Sequence, residues 1–133
     1  MWDPHSQCDI YMLERVQRRA ARFVFNRYKR LDSVTEMCGL RWISLQDRRK
    51  TARLVMFKKI IEGKVAVSQP PIVPAPVRPR RCHPHQFRQI QTKTNYRQNA
   101  FYPRTIVDWN KLPEKAVAAN TIEVFRTRVS VCV

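Results

Sequence analysis

The residues Cys82, His83 and His85, separated only by Pro84, are the densest group of potential metal ligands in the chain. A structural zinc site takes about four such ligands. The remaining candidates are remote in sequence: His5, Cys8, Cys38 and Cys132. Because the surroundings are rich in proline and arginine, the pattern favours an extended basic segment over a metal site, and we predict no metal and no cofactor.

No other arrangement of reactive residues indicates catalysis. The five Asp and five Glu are mostly single and far apart, and no pair is spaced to hold two metal ions for phosphoryl transfer. Two glycines in total leave no Gly-rich phosphate loop. No Ser or Cys stands in the setting of a nucleophile elbow. We therefore predict that the chain is not an enzyme by itself.

The net charge carries the main functional signal. The 133 residues include 26 Lys and Arg against ten Asp and Glu, which gives a formal charge of +16. Such a surplus indicates nucleic acid as the first candidate partner and an anionic membrane surface as the second, and the alternative is a merely soluble basic surface. Arginine outnumbers lysine 18 to eight, and its planar guanidinium suits phosphate groups and base edges.

The sequence carries no export or membrane signal. Its first residues lack the basic start and apolar run of a signal peptide, and no apolar stretch is long enough to span a bilayer. The four cysteines are scattered without a CxxC pair, which predicts free thiols in a reducing compartment. We expect an intracellular protein, either nuclear or cytoplasmic.

A first amphipathic helix is predicted from about Asp9, the expected N-cap, to Arg27. Its apolar residues recur at helical spacing and predict one buried face: Ile10, Leu13, Val16, Ala20, Phe23 and Val24. Four arginines centre on nearly the opposite side: Arg15, Arg18, Arg19 and Arg22. A charge run is usually a solvated helix face, but with only Glu14 close by this arginine ridge favours contact with phosphates.

A short helix is expected to open at Ser33, with Glu36 as its capping-box partner, and to end near Gly39. The connector after it should enter the core through three residues: Leu40, Trp42 and Ile43.

A second long helix is predicted from the cap signature Ser44 and Asp47 to about Glu62, where Gly63 ends it. Its apolar residues lie on two sides, one with Leu45, Ala52, Met56 and Ile60 and the other with Leu54, Phe57 and Ile61. Basic residues occupy the rest of the helix: Arg48, Arg49, Lys50, Arg53, Lys58 and Lys59. A helix with two apolar sides packs inside a bundle or against a larger body.

The segment 68–84 contains six of the nine prolines, together with Arg78, Arg80 and Arg81. Proline fixes φ and removes an amide donor, so this segment is predicted to be an extended linker or arm. It divides the chain into a basic helical segment, residues 1–67, the Pro-rich linker, and a small C-terminal segment, residues 85–133.

The C-terminal segment combines a weak strand signal with short helices. Residues 87–96 alternate as a strand would, and Pro103 fits the first turn of a helix that carries Ile106 and Trp109. Thr121 caps a last helix with three apolar residues: Ile122, Phe125 and Val129. The fold is therefore predicted to be mainly α, with two long helices, short helices, a Pro-rich extended arm and at most one short hairpin or strand pair.

Four aromatic residues are candidates for stacking on bases: Trp42, Phe101, Tyr102 and Trp109. In a small domain such side chains more often form the core, because they bury large apolar areas. We therefore expect them in the core.

Several stretches form an ordered set of motifs along nearly the whole chain: Trp2-Asp3-Pro4, residues 13–24, residues 33–35 with 40–42, residues 44–49, residues 104–113 and residues 124–129. The stretch 104–113 reads RTIVDWNKLP. As a set, these motifs resemble the segment just C-terminal to the reverse-transcriptase domain of non-LTR (LINE-type) retrotransposon polyproteins, of the jockey-like and related groups.

The resemblance implies a position after the polymerase core, since the Trp-Asp-Pro element normally follows that core. It implies a truncated element in which the upstream endonuclease and the polymerase with its catalytic aspartates are missing. It also implies an extension that contacts RNA or DNA. It transfers no role to an individual residue, because the motifs mark helices and caps rather than reactive groups.

We therefore expect a non-catalytic remnant of a retrotransposon reverse transcriptase that binds RNA or DNA through phosphates, with no membrane partner. Ten arginines are the predicted contacts: Arg15, Arg18, Arg19, Arg22, Arg48, Arg49, Arg53, Arg78, Arg80 and Arg81. The alternative is a structural or protein-interaction piece that packs on the thumb of a reverse-transcriptase core and has no independent function. A zinc-binding module around Cys82, His83 and His85 is the third hypothesis.

Overall fold

The computed structural model describes residues 3–26, 43–67, 71–76 and 83–132. Within these ranges the chain forms α1 Gln7–Val24, α2 Leu45–Ile61, α3 Asn95–Gln98, α4 Phe101–Asn110, α5 Glu114–Val117 and α6 Ile122–Cys132. The prediction of a mainly-α fold is confirmed. The described ranges contain no strand, and Pro74 and Phe87 form an isolated antiparallel bridge. The helix predicted between Ser33 and Gly39, with Glu36 as its capping-box partner, lies outside them.

Helix α1 begins at Gln7, earlier than predicted, because its N-cap is Ser6 and not Asp9. The backbone of Ser6 is extended, and Asp9 lies in the first turn, where the helix dipole favours a negative charge. The helix also ends earlier than predicted. Phe25 is its C-cap, and Asn26 follows with a φ of 50°, a left-handed conformation that stops the helix.

The apolar face predicted for α1 is buried only in part. Ile10 is buried as predicted, and Ala21 is buried as well. Val16 and Phe23, however, are 66% and 72% exposed, and Val24 is also exposed. The prediction of one continuous buried face is therefore wrong for the second half of α1.

Polar contacts to the start of α2 lie on the covered side of α1. Gln17 Nε2 donates to the carbonyl oxygen of Ile43 at 3.3 Å, and Glu14 Oε1 accepts from the amide of Gln46 at 3.1 Å. These contacts join residues far apart in sequence, so apolar spacing does not indicate them. Ile43 was predicted to enter the core, but it is 47% exposed. Two further predicted core residues lie outside the described ranges: Leu40 and Trp42.

Helix α2 begins with the predicted cap. Ser44 Oγ accepts from the amide of Asp47 at 3.0 Å and donates to Oδ2 of the same residue at 2.6 Å, so it satisfies an amide that the helix itself leaves free. The helix ends at Ile61, and Gly63 follows with a φ of 68°. Glycine adopts this left-handed conformation without strain. Both predicted ends of α2 are confirmed.

The two apolar sides predicted for α2 are each buried in part. Leu54, Phe57 and Ile60 are buried, whereas Met56 and Ile61 are about two-fifths exposed, at 39% and 40%. Each of the two sides is therefore buried in part and keeps one large apolar residue exposed.

Three cations expected on the basic surface of α2 are buried instead: Arg49, Arg53 and Lys58. Arg53 is 4% exposed and Lys58 is 7% exposed. Lys58 Nζ donates to the carbonyl oxygen of Val117 at 3.1 Å, lies 3.3 Å from Glu62 and stands 5.0 Å from the ring centroid of Phe125. The apolar stem packs in the interior while these groups compensate for the buried ammonium.

The chain divides into two compact units, residues 1–49 and residues 50–133, so the boundary between them lies inside α2. The reason is that α2 contributes to the core of the C-terminal unit. The ring of Phe57 lies 5.3 Å from Trp109, and Trp109 lies 5.7 Å from Phe125. The other buried residues of this core are Leu54, Val55, Ile106, Leu112, Val117, Ala119 and Val129.

The helices of the C-terminal unit follow the predicted signals. Helix α4 has Pro103 in its first turn and buries Ile106 and Trp109. Helix α6 begins after Thr121, whose Oγ1 accepts an amide of the first turn at 3.3 Å. Residues 87–96 do not form the expected strand, since they make a single bridge and α3 begins at Asn95. Of the Pro-rich linker, residues 71–76 are described and are not helical.

Replacing Ser44 with alanine should destabilise the protein, because the amide of Asp47 loses its acceptor. The expected loss in the free energy of unfolding is about 1 kcal/mol, measured by urea unfolding followed by circular dichroism. Ser130 provides the matched control, since its Oγ donates to the carbonyl oxygen of Arg126 inside α6 at 2.8 Å and Ser130→Ala should have little effect. An equal loss in both variants would contradict the capping role of Ser44.

Candidate nucleic-acid interface

The arginine ridge, Arg15, Arg18, Arg19 and Arg22, lies along one side of α1. Arg15, Arg18 and Arg19 are exposed, and Arg22 is partly buried. Because residues three and four apart are neighbours on a helix, the guanidinium groups stand next to one another. The fold thus brings four of the ten predicted contacts together and leaves three of them open to solvent.

Few negative charges compensate the ridge within the described residues. Glu14 is engaged by the amide of Gln46. The ion pairs that the described residues form do not include Arg15, Arg18 or Arg19. The ridge therefore keeps a local positive potential that a phosphate group can neutralise.

The predicted contacts near the start of α2 differ in their access to solvent. Arg48 is exposed, whereas Arg49 is 9% exposed. Arg49 Nη1 and Arg22 Nε have no hydrogen-bond partner among the described residues, and a buried N–H without a partner costs free energy. Arg48 is therefore well placed to meet a phosphate group, and Arg49 is not.

Arg53 belongs to the core rather than to an exposed surface. Its Nη2 lies 2.5 Å from Asp108 Oδ2, with the two side chains 4% and 19% exposed. This ion pair joins α2 to α4, and removing either partner would leave an uncompensated charge in the interior. We therefore leave Arg53 out of the interface.

The last three predicted contacts, Arg78, Arg80 and Arg81, lie outside the described residues. The unit that contains them holds most of the surplus charge. Residues 50–133 include 16 Lys and Arg against four Asp and Glu, a surplus of twelve, whereas residues 1–49 include ten against six. Eight cations are exposed in the described part of the C-terminal unit: Lys64, Arg88, Lys93, Arg97, Lys111, Lys115, Arg126 and Arg128. None of these eight cations was among the ten predicted contacts.

His83 of the Cys-His cluster is a core residue. It is 2% exposed, and its Nε2 lies 3.1 Å from the carbonyl oxygen of Trp109. Because a carbonyl oxygen only accepts, Nε2 carries the proton of this bond. His85 is exposed, and Cys82 lies outside the described residues. Where the structure is described, no group of three or more His, Cys, Asp and Glu is arranged to hold a metal ion.

Further hydrogen bonds hold the segment 83–87 to the C-terminal end of α4. Trp109 Nε1 donates to the carbonyl oxygen of His85 at 2.9 Å, and Gln86 Nε2 donates to that of Asn110 at 2.9 Å. Asn110 Oδ1 accepts from the amide of Phe87 at 3.0 Å, and its Nδ2 donates to the carbonyl oxygen of Phe87 at 2.8 Å. Asn110 thus pairs with Phe87 as a neighbouring strand would. We call this contact the Trp-Asn clamp.

The other edge of the clamped segment pairs with the linker. Ala75 N donates to the carbonyl oxygen of Gln86 at 2.9 Å, and Arg88 N donates to that of Val73 at 2.8 Å. Since Phe87 faces Asn110 while its neighbours face residues 73–75, both edges are satisfied without a sheet. The alternating sequence over 87–96 therefore produces a bridge and no strand.

The predicted place of the large aromatic residues in the core is confirmed for Trp109, which is 2% exposed. Phe101 and Tyr102 are half-buried and pack edge to face, with ring centroids 5.1 Å apart. Trp42 lies outside the described residues. The clamp itself was not predicted, because the sequence Trp-Asn before Leu-Pro indicated only the end of a helix.

A cavity of about 320 Å³ lies beside the clamp. Its lining is mostly apolar, and two of its polar residues, Lys58 and Glu62, are bonded to each other. A hydrogen bond from Lys64, at 2.7 Å, is the main cause that lowers the pKa of the Glu62 carboxyl. This bond stabilises the folded protein at any pH above the pKa that the Glu62 carboxyl has in the unfolded chain. The stabilisation is lost as the pH falls through the lowered pKa of Glu62 in the folded protein.

None of the described helices is long and apolar enough to cross a membrane. Comparison of the chain with protein-family models, curated proteins and solved structures finds no match.

Asn110→Ala should destabilise the C-terminal unit, because the amide and the carbonyl of Phe87 both lose their partner. The expected loss in the free energy of unfolding is about 2–4 kcal/mol, measured in urea. Asn120 is exposed, so Asn120→Ala provides the control and should change stability by less than about 0.5 kcal/mol. If both variants unfold at the same urea concentration, the clamp does not contribute as described.

Proposed function

We propose that the chain is a non-catalytic nucleic-acid-binding protein that contacts phosphate groups through the arginine ridge of α1. One observation carries this proposal: Arg15, Arg18 and Arg19 are exposed side by side, outside any ion pair of the described residues. Arginine binds phosphate with a planar pair of donors, so a row of exposed arginines suits a sugar-phosphate backbone.

Binding of this kind is largely independent of base sequence. Contacts to phosphate fix the position of a protein on its ligand but carry no sequence information directly. The formal charge of +16 supports the same proposal, since neutralised phosphates release counterions and salt then weakens binding steeply.

The proposed origin is the segment C-terminal to the reverse-transcriptase domain of a non-LTR retrotransposon polyprotein. The motif at residues 104–113, on which the resemblance partly rests, supplies packing groups: Asp108 pairs with Arg53, and Trp109 and Asn110 form the clamp. This use supports the interpretation that the shared motifs preserve a fold and not a reaction.

Replacing Arg15, Arg18 and Arg19 with glutamine should weaken binding to RNA by about ten- to a hundredfold at low salt. Three phosphate contacts are lost, so the slope of log affinity against log salt concentration should also fall, by about two for a single strand. Filter binding at several salt concentrations measures both quantities, and circular dichroism verifies that helicity is kept.

The matched control removes three exposed cations of the C-terminal unit, Lys93, Arg97 and Lys111, by substitution with glutamine. The two triple variants have the same net charge. If the ridge is the binding surface, the control loses less affinity than the ridge variant. Equal losses would indicate attraction by net charge alone and would remove the ridge from the proposal.

A second candidate function is protein interaction, such as packing on the thumb of a reverse-transcriptase core. It is favoured by the exposed apolar residues on another side of α1, where Met12, Val16 and Phe23 are 53%, 66% and 72% exposed. Contiguous apolar surface of this kind marks interaction sites in many soluble proteins.

If these apolar residues form an interface, the isolated chain should self-associate at high concentration. Sedimentation analysis should then give a mass above that of a monomer, and Val16→Gln combined with Phe23→Gln should restore the monomer, because the variant exposes less apolar surface. A parent chain that sediments as a compact monomer and unfolds cooperatively would speak against this second function.

A further inference from the structure

The ridge side of α1 begins and ends with an exposed aromatic ring. Tyr11 is 55% exposed and Phe25 is 38% exposed. From Tyr11, the residues Arg15, Arg18, Arg22 and Phe25 follow at intervals of four, three, four and three. Such spacing places all five on one side of a helix. Phe25 is the C-cap, but its amide still donates to the carbonyl oxygen four residues earlier, at 3.0 Å, so the helical register extends to it.

Arg18 holds the Tyr11 ring beside the ridge. Its guanidinium carbon lies 5.5 Å from the ring centroid, which is a cation–π contact. The ring therefore stays next to the arginines although more than half of the residue is exposed. An aromatic ring in this position offers a π surface to a base while neighbouring guanidinium groups bind phosphates.

We propose that this side of α1 binds single-stranded nucleic acid in preference to duplex, with Tyr11 and Phe25 stacking on unpaired bases. The proposal rests on the proposed function, because the ridge supplies the phosphate contacts. In a duplex the base faces are covered by neighbouring base pairs, so the two rings would find no partner. In a single strand the base faces are open to aromatic side chains.

The distance between the rings suits one strand. The helix rises about 21 Å over the fourteen steps from Tyr11 to Phe25. That length corresponds to about six nucleotides at the repeat of a duplex strand, and to fewer in an extended single strand. Since the arginines lie between the two rings, a strand that stacks at both ends must pass over them.

The test measures binding of the whole chain to a labelled single-stranded RNA of about twelve nucleotides and to the duplex formed from the same strand. Fluorescence anisotropy gives both dissociation constants for the parent and for two double variants. The first variant is Tyr11→Ala with Phe25→Ala. The control is Tyr96→Ala with Val131→Ala, which removes an exposed ring and an exposed apolar side chain from the C-terminal unit, at 77% and 84% exposure.

All these variants keep every charge. For each stacked base that is lost, we expect the affinity of the first variant for the single strand to fall by about five- to 150-fold. Its affinity for duplex and its salt slope should stay unchanged, and the control should match the parent on both ligands. A further variant, Tyr11→Leu with Phe25→Leu, keeps helix-favouring apolar bulk without rings. It should bind as weakly as the alanine variant, and it replaces that variant if circular dichroism reveals a loss of helix.

Unchanged single-strand affinity in the ring variants, or an equal loss on duplex, would overturn the inference. If the parent binds both ligands equally and only the triple ridge variant weakens binding, the proposed function stands and the single-strand preference falls. If the parent binds neither ligand, both the proposed function and this inference fall.

Discussion

The C-terminal unit depends on the last turn of α4, where successive side chains hold different parts of the chain. Asp108 pairs with Arg53 of α2, Trp109 fills the core, and Asn110 takes the place of a strand beside Phe87. The N–H and C=O groups of a buried backbone segment need hydrogen-bond partners. Here the single side chain of Asn110 supplies a partner for both groups of Phe87. The Trp-Asn clamp therefore replaces the sheet that this unit lacks in its described part.

Local signals predicted much of the helical fold, because they depend on neighbours in sequence. The cap formed by Ser44 and the left-handed Gly63 determine the ends of α2, and apolar spacing identified Leu54 and Phe57 as core residues. The burial of Arg53 could not be predicted in this way. Its partner Asp108 lies 55 residues further along the chain, and one sequence does not reveal which distant carboxylate meets which cation.

The candidate interface was predictable to a similar extent. Helical spacing alone placed Arg15, Arg18 and Arg19 on one side of α1. It did not reveal which apolar residues stay exposed, because that depends on contacts with residues distant in sequence, such as those of Gln17 and Glu14 with residues near the start of α2. The same limit applies to Arg49, whose burial depends on packing and not on its position in the helical pattern.

The uneven distribution of charge would link the folding of this protein to the binding of the proposed polyanion. The C-terminal unit has a surplus of twelve positive charges and encloses the buried cations Arg53 and Lys58. Repulsion among such charges opposes the compact state and is screened by salt. A polyanion that binds the folded unit more tightly than the unfolded chain stabilises it by mass action. If the proposed function holds, salt strengthens the fold while it weakens phosphate binding, and removing nucleic acid at low ionic strength would remove a source of stability.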